Sequence, residues 1–217
     1  MCGSELHSLR AIKAIIPTPY HPFDSQSGAY MLRADPADIS PFIGTDSFTM
    51  PQPFFGPHPH AGMSAVTLML PEAEGGFINR DSLGDRSLIA PGDLHWTQAD
   101  PVAFHVNRAD IPIVPVDGGS VRVVAGEFAG LASPINRDAR WLTQVNTAQA
   151  AIIFAADGAV AKLQAGNTAL RGVFFSGTPI TEPMYPKGPF MGNTAHDVAE
   201  YAARYQSGEM GSLSKSF

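Results

Sequence analysis

The spacing of apolar and polar residues along the chain predicts many short strands. Short apolar or β-branched runs that are closed by Gly, Pro, Asn or Asp are typical of strands ending at turns. Such runs occur at 11–16, 29–33, 42–43, 64–70, 86–90, 94–97, 121–126, 151–155, 160–163 and 170–176. Between them, Asp81–Asp85 predicts a hairpin loop and Pro91–Asp93 a tight turn. Strands at this short, regular spacing predict an all-β fold of the sandwich or barrel type.

One segment near the C-terminus has the spacing of a helix. Apolar side chains recur there every three or four residues, at Val198, Tyr201, Ala202 and Tyr205. Thr194 is a residue type that caps helix N-termini, and Asp197 is placed three residues on, as in a capping box. Gly208 stands where a helix would end. We therefore expect a C-terminal helix that begins after Thr194.

The strand pattern predicts two successive β-modules, of which the second is smaller. Residues 129–140 mix Gly, Ser, Pro, Asn and charge, which is typical of a boundary. We therefore expect a first domain over 1–128, a linker over 129–140, and a shortened second domain over 141–217 that carries the terminal helix. A shortened module leaves an open sheet edge, which favours a homodimer.

Composition and charge exclude several classes of protein. The 217 residues are 44% hydrophobic and 16% charged, which excludes a disordered chain. The net charge is −6 and Lys and Arg are not clustered, so direct nucleic-acid binding is not expected. There is no apolar run long enough for a membrane span and no hydrophobic signal segment at the start. With a single cysteine, Cys2, the sequence predicts a cytoplasmic protein.

Two of the seven histidines are candidate metal ligands, and they stand in the sequence His58-Pro59-His60. In a strand, residues i and i+2 point to the same face, so two imidazoles would stand side by side and could hold one metal ion. Pro57 and Pro59 cannot donate ladder hydrogen bonds, which places such a strand at an edge, a bulge or a barrel mouth. The alternative is an exposed or capping pair without a metal.

Four long motifs resemble the pirin family. They are FGPHPHAGMS (55–64), NRDSLGDRSLIAPGDLHW (79–96), VRVVAGEFAGLASPI (121–135) and GTPITEPMYPKGPFMGNT (177–194). This resemblance implies a bicupin, which consists of two tandem cupin β-sandwich or barrel domains and a C-terminal helix. It also implies one Fe(II)-type metal in the N-terminal domain, held by an H-x-H and an H-x-E pair. Pirins are associated with ring-opening oxygenation of flavonols such as quercetin, or with metal-dependent regulation through transcription factors or metabolic enzymes.

The resemblance assigns the metal ligands residue by residue. His58 and His60 match the H-x-H pair, and His105, nine residues beyond Trp96, matches the next histidine. Asn107 occupies the place of the carboxylate, and Ser64 stands where pirins carry a Glu. The segment between His105 and Val121 is shorter than in typical pirins. An alternative alignment deletes the H-x-E segment, and His105 is then no ligand.

These residues leave two main functions open, beside a third: another metal-assisted reaction on a different substrate, or a relic site without a metal. Three neutral imidazoles can hold Fe(II), Zn(II) or Ni(II) without a carboxylate, so we expect one Fe(II), or Ni, Zn or Mn, per chain, or a site that has lost its metal. The first function is a metal-dependent, quercetin-type dioxygenase. The alternative is a non-catalytic regulatory or binding protein, metal-dependent or metal-free. The expected partner is accordingly a small aromatic molecule or a protein. No catalytic residue is assigned.

Several further side chains have both a structural and a functional interpretation. His95 is expected to be a partly buried, hydrogen-bonded histidine, with a role beside the metal ligands or in the pocket as the alternative. Phe54, Phe55 and Trp96 could line an apolar pocket, although core packing is favoured for all three. Asp93 is expected to form the turn at Pro91–Asp93.

Overall fold

The structure is a computed structural model of the chain. It describes residues 8–53, 55–98, 102–106, 113–116, 119–122, 140–145, 149–158, 160–164, 167 and 169–213. Within these residues, no helix is both long and apolar enough to cross a membrane.

Strands dominate the described part of the chain, as the sequence predicts. In chain order, the strands are β1 (Ile12–Pro17), β2 (Tyr20–Pro22), β3 (Gly28–Leu32), β4 (Thr45–Thr49), β5 (Ser64–Leu68), β6 (Phe77–Arg80), β7 (Arg86–Ile89), β8 (Leu94–Gln98), β9 (Val102–Val106), β10 (Ile113–Val116), β11 (Gly119–Arg122), β12 (Arg140–Val145), β13 (Ala150–Phe154), β14 (Gly172–Gly177), β15 (Tyr185–Lys187) and β16 (Phe190–Gly192). The helices are α1 (Pro36–Ile39) and α2 (Ala195–Gln206).

The first of two compact units combines Met1–Phe54 with Pro134–Thr181. It holds a four-stranded antiparallel sheet in the order β1-β13-β12-β14 and a three-stranded sheet in the order β2-β3-β4. Its core centres on the buried side chains Leu32, Ile39, Ala151 and Ile153. Residues from two segments that are distant in sequence therefore form this core together.

The second compact unit combines Phe55–Ser133 with Glu182–Phe217. The sheet β5-β8-β9 and the hairpins β6-β7, β10-β11 and β15-β16 all belong to it. Helix α2 packs here through Val198, which forms a buried cluster with Ala61 and Phe190. This cluster joins the segment that follows His60 to the C-terminal part of the chain.

The predicted terminal helix is confirmed. Thr194 and Asp197 form the full capping box, in which the Thr194 side chain accepts from the Asp197 N–H and the Asp197 carboxylate accepts from the Thr194 N–H. The helix ends at Gln206, and Gly208 follows with a φ of +82°. A left-handed glycine just past the last turn is a common helix terminus.

Two predicted strands are wrong. Phe42 and Ile43 belong to no strand, and the Phe42 N–H instead donates to the Ile39 carbonyl at 2.9 Å. The Phe42 ring packs instead against Phe175, with centroids 5.6 Å apart. In 160–163, only Val160 makes a β-bridge, to Leu9. In both places the apolar residues pack in the core or form a single bridge, and they make no continuous ladder of strand hydrogen bonds.

The predicted domain boundaries at 128 and 140 fall at or next to residues 123–139, which lie outside the described part of the chain. They stay a prediction. The same applies to residues 123–126 of the strand predicted at 121–126, whose first two residues belong to β11 (Gly119–Arg122).

Candidate metal centre

The histidine pair lies in an irregular segment that leads into β5. Residues 55–60 form no strand, so the prediction of an H-x-H strand is wrong in its secondary structure. Pro57 and Pro59 explain this, because neither has an N–H to contribute to a ladder. The segment is instead fixed just after His60, where Ala61 forms a parallel bridge with Phe190 and its carbonyl accepts the Met191 N–H at 2.9 Å.

Gly62 makes this close approach possible. Its φ is +70°, in the region that favours glycine, and a Cβ placed there would collide with the Met191 carbonyl oxygen. The glycine in the motif His-Pro-His-x-Gly therefore has a local physical role. It lets the chain turn against β16 directly after the second histidine.

The two imidazoles are adjacent, as the sequence predicts. The ring centroids of His58 and His60 lie 4.8 Å apart, with planes inclined at 70°. The Nδ1 of His58 lies 2.8 Å from the Gly56 carbonyl oxygen. Because a carbonyl can only accept, Nδ1 is the donor in this contact, which leaves Nε2 as the ring nitrogen of His58 that could bind a ligand. A metal-bound histidine is commonly oriented by such a contact to its other nitrogen.

His60 is half-buried, and its surroundings disfavour the protonated form. Burial lowers its pKa below the ordinary 6.5, and the neighbouring His58 lowers it further, because two positive charges at this distance repel. Its Nδ1 is buried and has no hydrogen-bond partner among the described residues. A buried polar atom without a partner costs about 1–3 kcal/mol, which a bound metal would offset. Two adjacent imidazoles, each with a ring nitrogen that makes no hydrogen bond within the described residues, fit a divalent transition metal.

The other ligands implied by the resemblance are described only in part. His105 lies on β9, where the backbone pairs it with His95 on β8. Asn107 lies outside the described residues, as does Phe54. Among the described residues, there is no group of three or more His, Cys, Asp or Glu side chains that could hold a metal. The ligand roles of His105 and Asn107 therefore stay predictions.

His95 is buried, which agrees with its structural interpretation. It is 6% exposed, and its ring meets Phe77 edge-on, with centroids 6.5 Å apart and planes at 88°. Trp96, the next residue, faces the opposite side of β8 and is 39% exposed. Sequence reasoning missed the pairing of His95 with His105. The register that pairs Gln98 with Val102 sets His95 opposite His105, and the alternation of residues along either strand alone does not reveal it.

Burial and hydrogen bonds test the predicted roles of the remaining candidate side chains. Asp93 is buried and its Oδ2 accepts the Ala90 N–H at 2.9 Å, so the prediction of a turn former is confirmed. Phe55 is 54% exposed, and Trp96 is also exposed, so core packing is wrong for both. Ser64 is exposed at the start of β5.

Comparisons with known proteins agree with this architecture. The pirin family model matches residues 26–116, and the model of the pirin C-terminal cupin domain matches residues 119–211. Pirin-like protein 2 of Arabidopsis thaliana is 24% identical over 82% of this chain and 78% of its own length. Human pirin is 22% identical over 82% of this chain and 86% of its own length.

Solved structures show the same fold. The crystal structure of quercetin 2,3-dioxygenase from Acinetobacter baumannii has a TM-score of 0.75 and 20% identity. The match covers 94% of this chain and 99% of that one. The structure of GK1651 from Geobacillus kaustophilus has a TM-score of 0.62 and 15% identity, and covers 80% of this chain. The expected all-β tandem cupin fold with a C-terminal helix is thereby confirmed, and the chain belongs to the pirin family.

Proposed function

We propose that this pirin is a metal-dependent oxygenase acting on a flavonol-type substrate such as quercetin. The observation that carries the proposal is the His58–His60 pair, with adjacent rings and an unpartnered buried nitrogen on His60. Pirin-family membership supports a divalent metal at this pair, and His105 is the third ligand in the proposal. Fe(II) is the first candidate, and Ni, Zn and Mn are the others.

Three features of this segment prepare the site for a metal. The Gly56 carbonyl fixes the tautomer and the ring orientation of His58. Burial lowers the pKa of His60, so that a proton competes less with a metal for its ring nitrogen. The Ala61–Met191 hydrogen bond fixes the backbone next to His60. A divalent ion held there supplies a Lewis acid that stabilises the enolate form of a chelating substrate.

The substrate class follows from the charge of the ligand set. An Asn at position 107 is neutral, so a divalent ion held by imidazoles keeps its full positive charge. Such a centre favours an anionic, chelating oxygen substrate, and a flavonol enolate is one. Phe55, which is exposed next to His58 with ring centroids 6.3 Å apart, offers an aromatic surface for a planar ligand.

The presence of Asn107 in place of a carboxylate also favours the alternative function. The position of the pirin carboxylate is Asn107, and the nearby Glu position is Ser64, so neither supplies a base to deprotonate a substrate hydroxyl. The alternative is a regulatory protein that binds a partner protein and uses its metal state as a switch. A cytoplasmic location and a homodimer belong to both proposals.

Metal content and oxygen uptake test the proposal together. The wild type is reloaded anaerobically with Fe(II) and analysed by elemental mass spectrometry beside the double variant H58A/H60A. The matched control is H21A, which removes an exposed histidine on β2. We expect one metal per chain in the wild type and in H21A, and none in the double variant.

Oxygen uptake with quercetin then separates the two functions. Consumption of O₂ in step with quercetin loss, absent in H58A/H60A, supports the oxygenase. Stoichiometric metal without O₂ uptake contradicts the oxygenase and supports the regulatory alternative. A wild type that takes up no metal contradicts the metal site itself.

A further inference from the structure

The outer face of the hairpin β6-β7 carries large apolar side chains in contact with solvent. Ile78 and Leu88 stand opposite each other in the strand register and are 56% and 61% exposed. Leu83, in the loop between the strands, is also 61% exposed. The alternate residues face the interior, since Ile89 is fully buried and Phe77 is half-buried. Adjoining apolar side chains in solvent are a common mark of an interaction site.

Two arginines extend this outer face toward the loop. Arg80 and Arg86 are directly opposite each other, two residues along from Ile78 and Leu88, so all four residues share one face. Like charges at directly opposite positions destabilise a strand pair unless they are compensated. Within the described part of the chain, the exposed Arg86 side chain makes no hydrogen bond or ion pair. Its charge is therefore available to an anionic group from outside.

The two aspartates of the loop are engaged in other contacts. The Oδ1 of Asp81 accepts the N–H groups of Leu83 and Asp85 at 2.9 Å, and its Oδ2 is buried. The Oδ2 of Asp85 accepts from Asn79 Nδ2 at 3.3 Å and from Ser87 Oγ at 2.7 Å, and these two residues belong to the inner face of the hairpin. The bonds tie both carboxylates to the loop and the inner face, so the outer face stays cationic at Arg86.

A depression at the tip of the hairpin has room for an acidic side chain. Its volume is about 400 Å³, and it is lined by Arg80, residues 81–85, Arg86 and Ser212. The segment after α2 packs against this loop so closely that a Cβ on Gly211 would lie 2.8 Å from the Cβ of Ser82. A carboxylate that enters the depression meets guanidinium groups, which bind carboxylates through paired, charge-assisted hydrogen bonds.

We propose that this face binds an extended segment of a partner protein that carries apolar and acidic side chains at alternate positions. Residues two apart in a strand lie on one face about 6.6 Å apart, both in the hairpin and in such a segment. An apolar side chain can thus cover Ile78 and Leu88 while the acidic one reaches Arg80 and Arg86.

The composition of the face and of the chain favours this partner over two others. The exposed aliphatic side chains favour a protein over a nucleic acid, which offers mainly phosphates. The net charge of −6 disfavours an anionic membrane. The inference goes beyond the proposed function and needs no metal.

A random peptide library, selected against the full chain, is the probe. Enriched peptides are titrated by fluorescence anisotropy against the wild type, I78S/L88S, R86E and the control I15S/K162E, which removes an exposed apolar and an exposed cationic side chain outside the hairpin. We expect enriched sequences to alternate apolar and acidic residues. I78S/L88S should weaken their binding at least about tenfold, the factor contributed by covering one aliphatic side chain. R86E should weaken it about threefold or more, with a smaller effect at high salt, and I15S/K162E should match the wild type.

Each outcome decides the inference. Enrichment of basic sequences, or of none, overturns it, and so does an affinity that neither hairpin variant changes. Binding to vesicles that contain phosphatidylserine, lost in I78S/L88S, overturns it in favour of a membrane. A wild-type dimer that I78S/L88S dissociates overturns it in favour of a second copy of the chain. If I78S/L88S does not fold, R86E and its salt dependence decide. No peptide result bears on metal content, so the proposed function stands or falls separately.

Discussion

The replacement of Gly62 by alanine is expected to destabilise the second unit by two separable effects. The first is backbone strain, because an L-residue in the left-handed region costs about 1–2 kcal/mol. The second is the collision of the new Cβ with the Met191 carbonyl oxygen. Relief of that collision must separate Ala61 from Met191 and weaken their hydrogen bond, a loss of about 0.5–1.5 kcal/mol. Together they lower the free energy of unfolding by about 1.5–3.5 kcal/mol.

Gly188 provides the matched control for this prediction. Its φ is +58°, close to that of Gly62, but a Cβ placed there has no atom within 4 Å. G188A therefore reports strain alone, and the gain from restricting the unfolded chain is shared by both variants. Denaturant unfolding followed by circular dichroism measures both, and metal titration follows the site. Equal losses in G62A and G188A, or unchanged metal affinity in G62A, would refute the role of the Ala61–Met191 contact.

Three further predictions concern the helix, His60 and the core. T194A should lower the free energy of unfolding by about 1 kcal/mol through loss of the N-cap, with S207A, at the other end of α2, expected to change it less in the same denaturant titration. The pKa of His60 is lowered in the folded state, so the unfolded state binds more protons below pH 6.5, and the free energy of unfolding should fall as the pH drops below 6.5. H60Q should make this dependence on pH shallower, and a steeper dependence in H60Q would contradict the lowered pKa. F190A should cost about 3–5 kcal/mol, because Phe190 joins Ala61 and Val198 in one buried cluster; in contrast F48A, at an exposed position on β4, should cost far less by thermal melting.

Local chemistry accounts for the parts of the fold that the sequence predicts well. The capping box at Thr194 and Asp197 needs only side chains three residues apart, and Asp93 closes its turn onto Ala90 within the same loop. The adjacency of His58 and His60 is equally local. It survives the absence of a strand, since the spacing of the two residues limits how far apart their rings can lie.

Long-range pairing accounts for the parts that sequence reasoning missed. The register of β8 against β9 depends on the loop between them, and it is this register that sets His95 opposite His105. A shift of one residue would move either histidine to the other face. Likewise, Phe42 is apolar because its ring meets Phe175, a contact that spans most of the chain and leaves no periodic signal.

The candidate metal centre combines both kinds of information. Two of its proposed ligands, His58 and His60, lie in one short motif, but the backbone after His60 is held by Met191 and the cluster around Phe190, about 130 residues later. Closing so long a loop costs entropy that only the completed cluster repays. The geometry of the histidine pair is therefore expected to form late in folding, together with the docking of α2. By this reasoning, variants that loosen α2 should weaken metal binding although none of them touches a ligand.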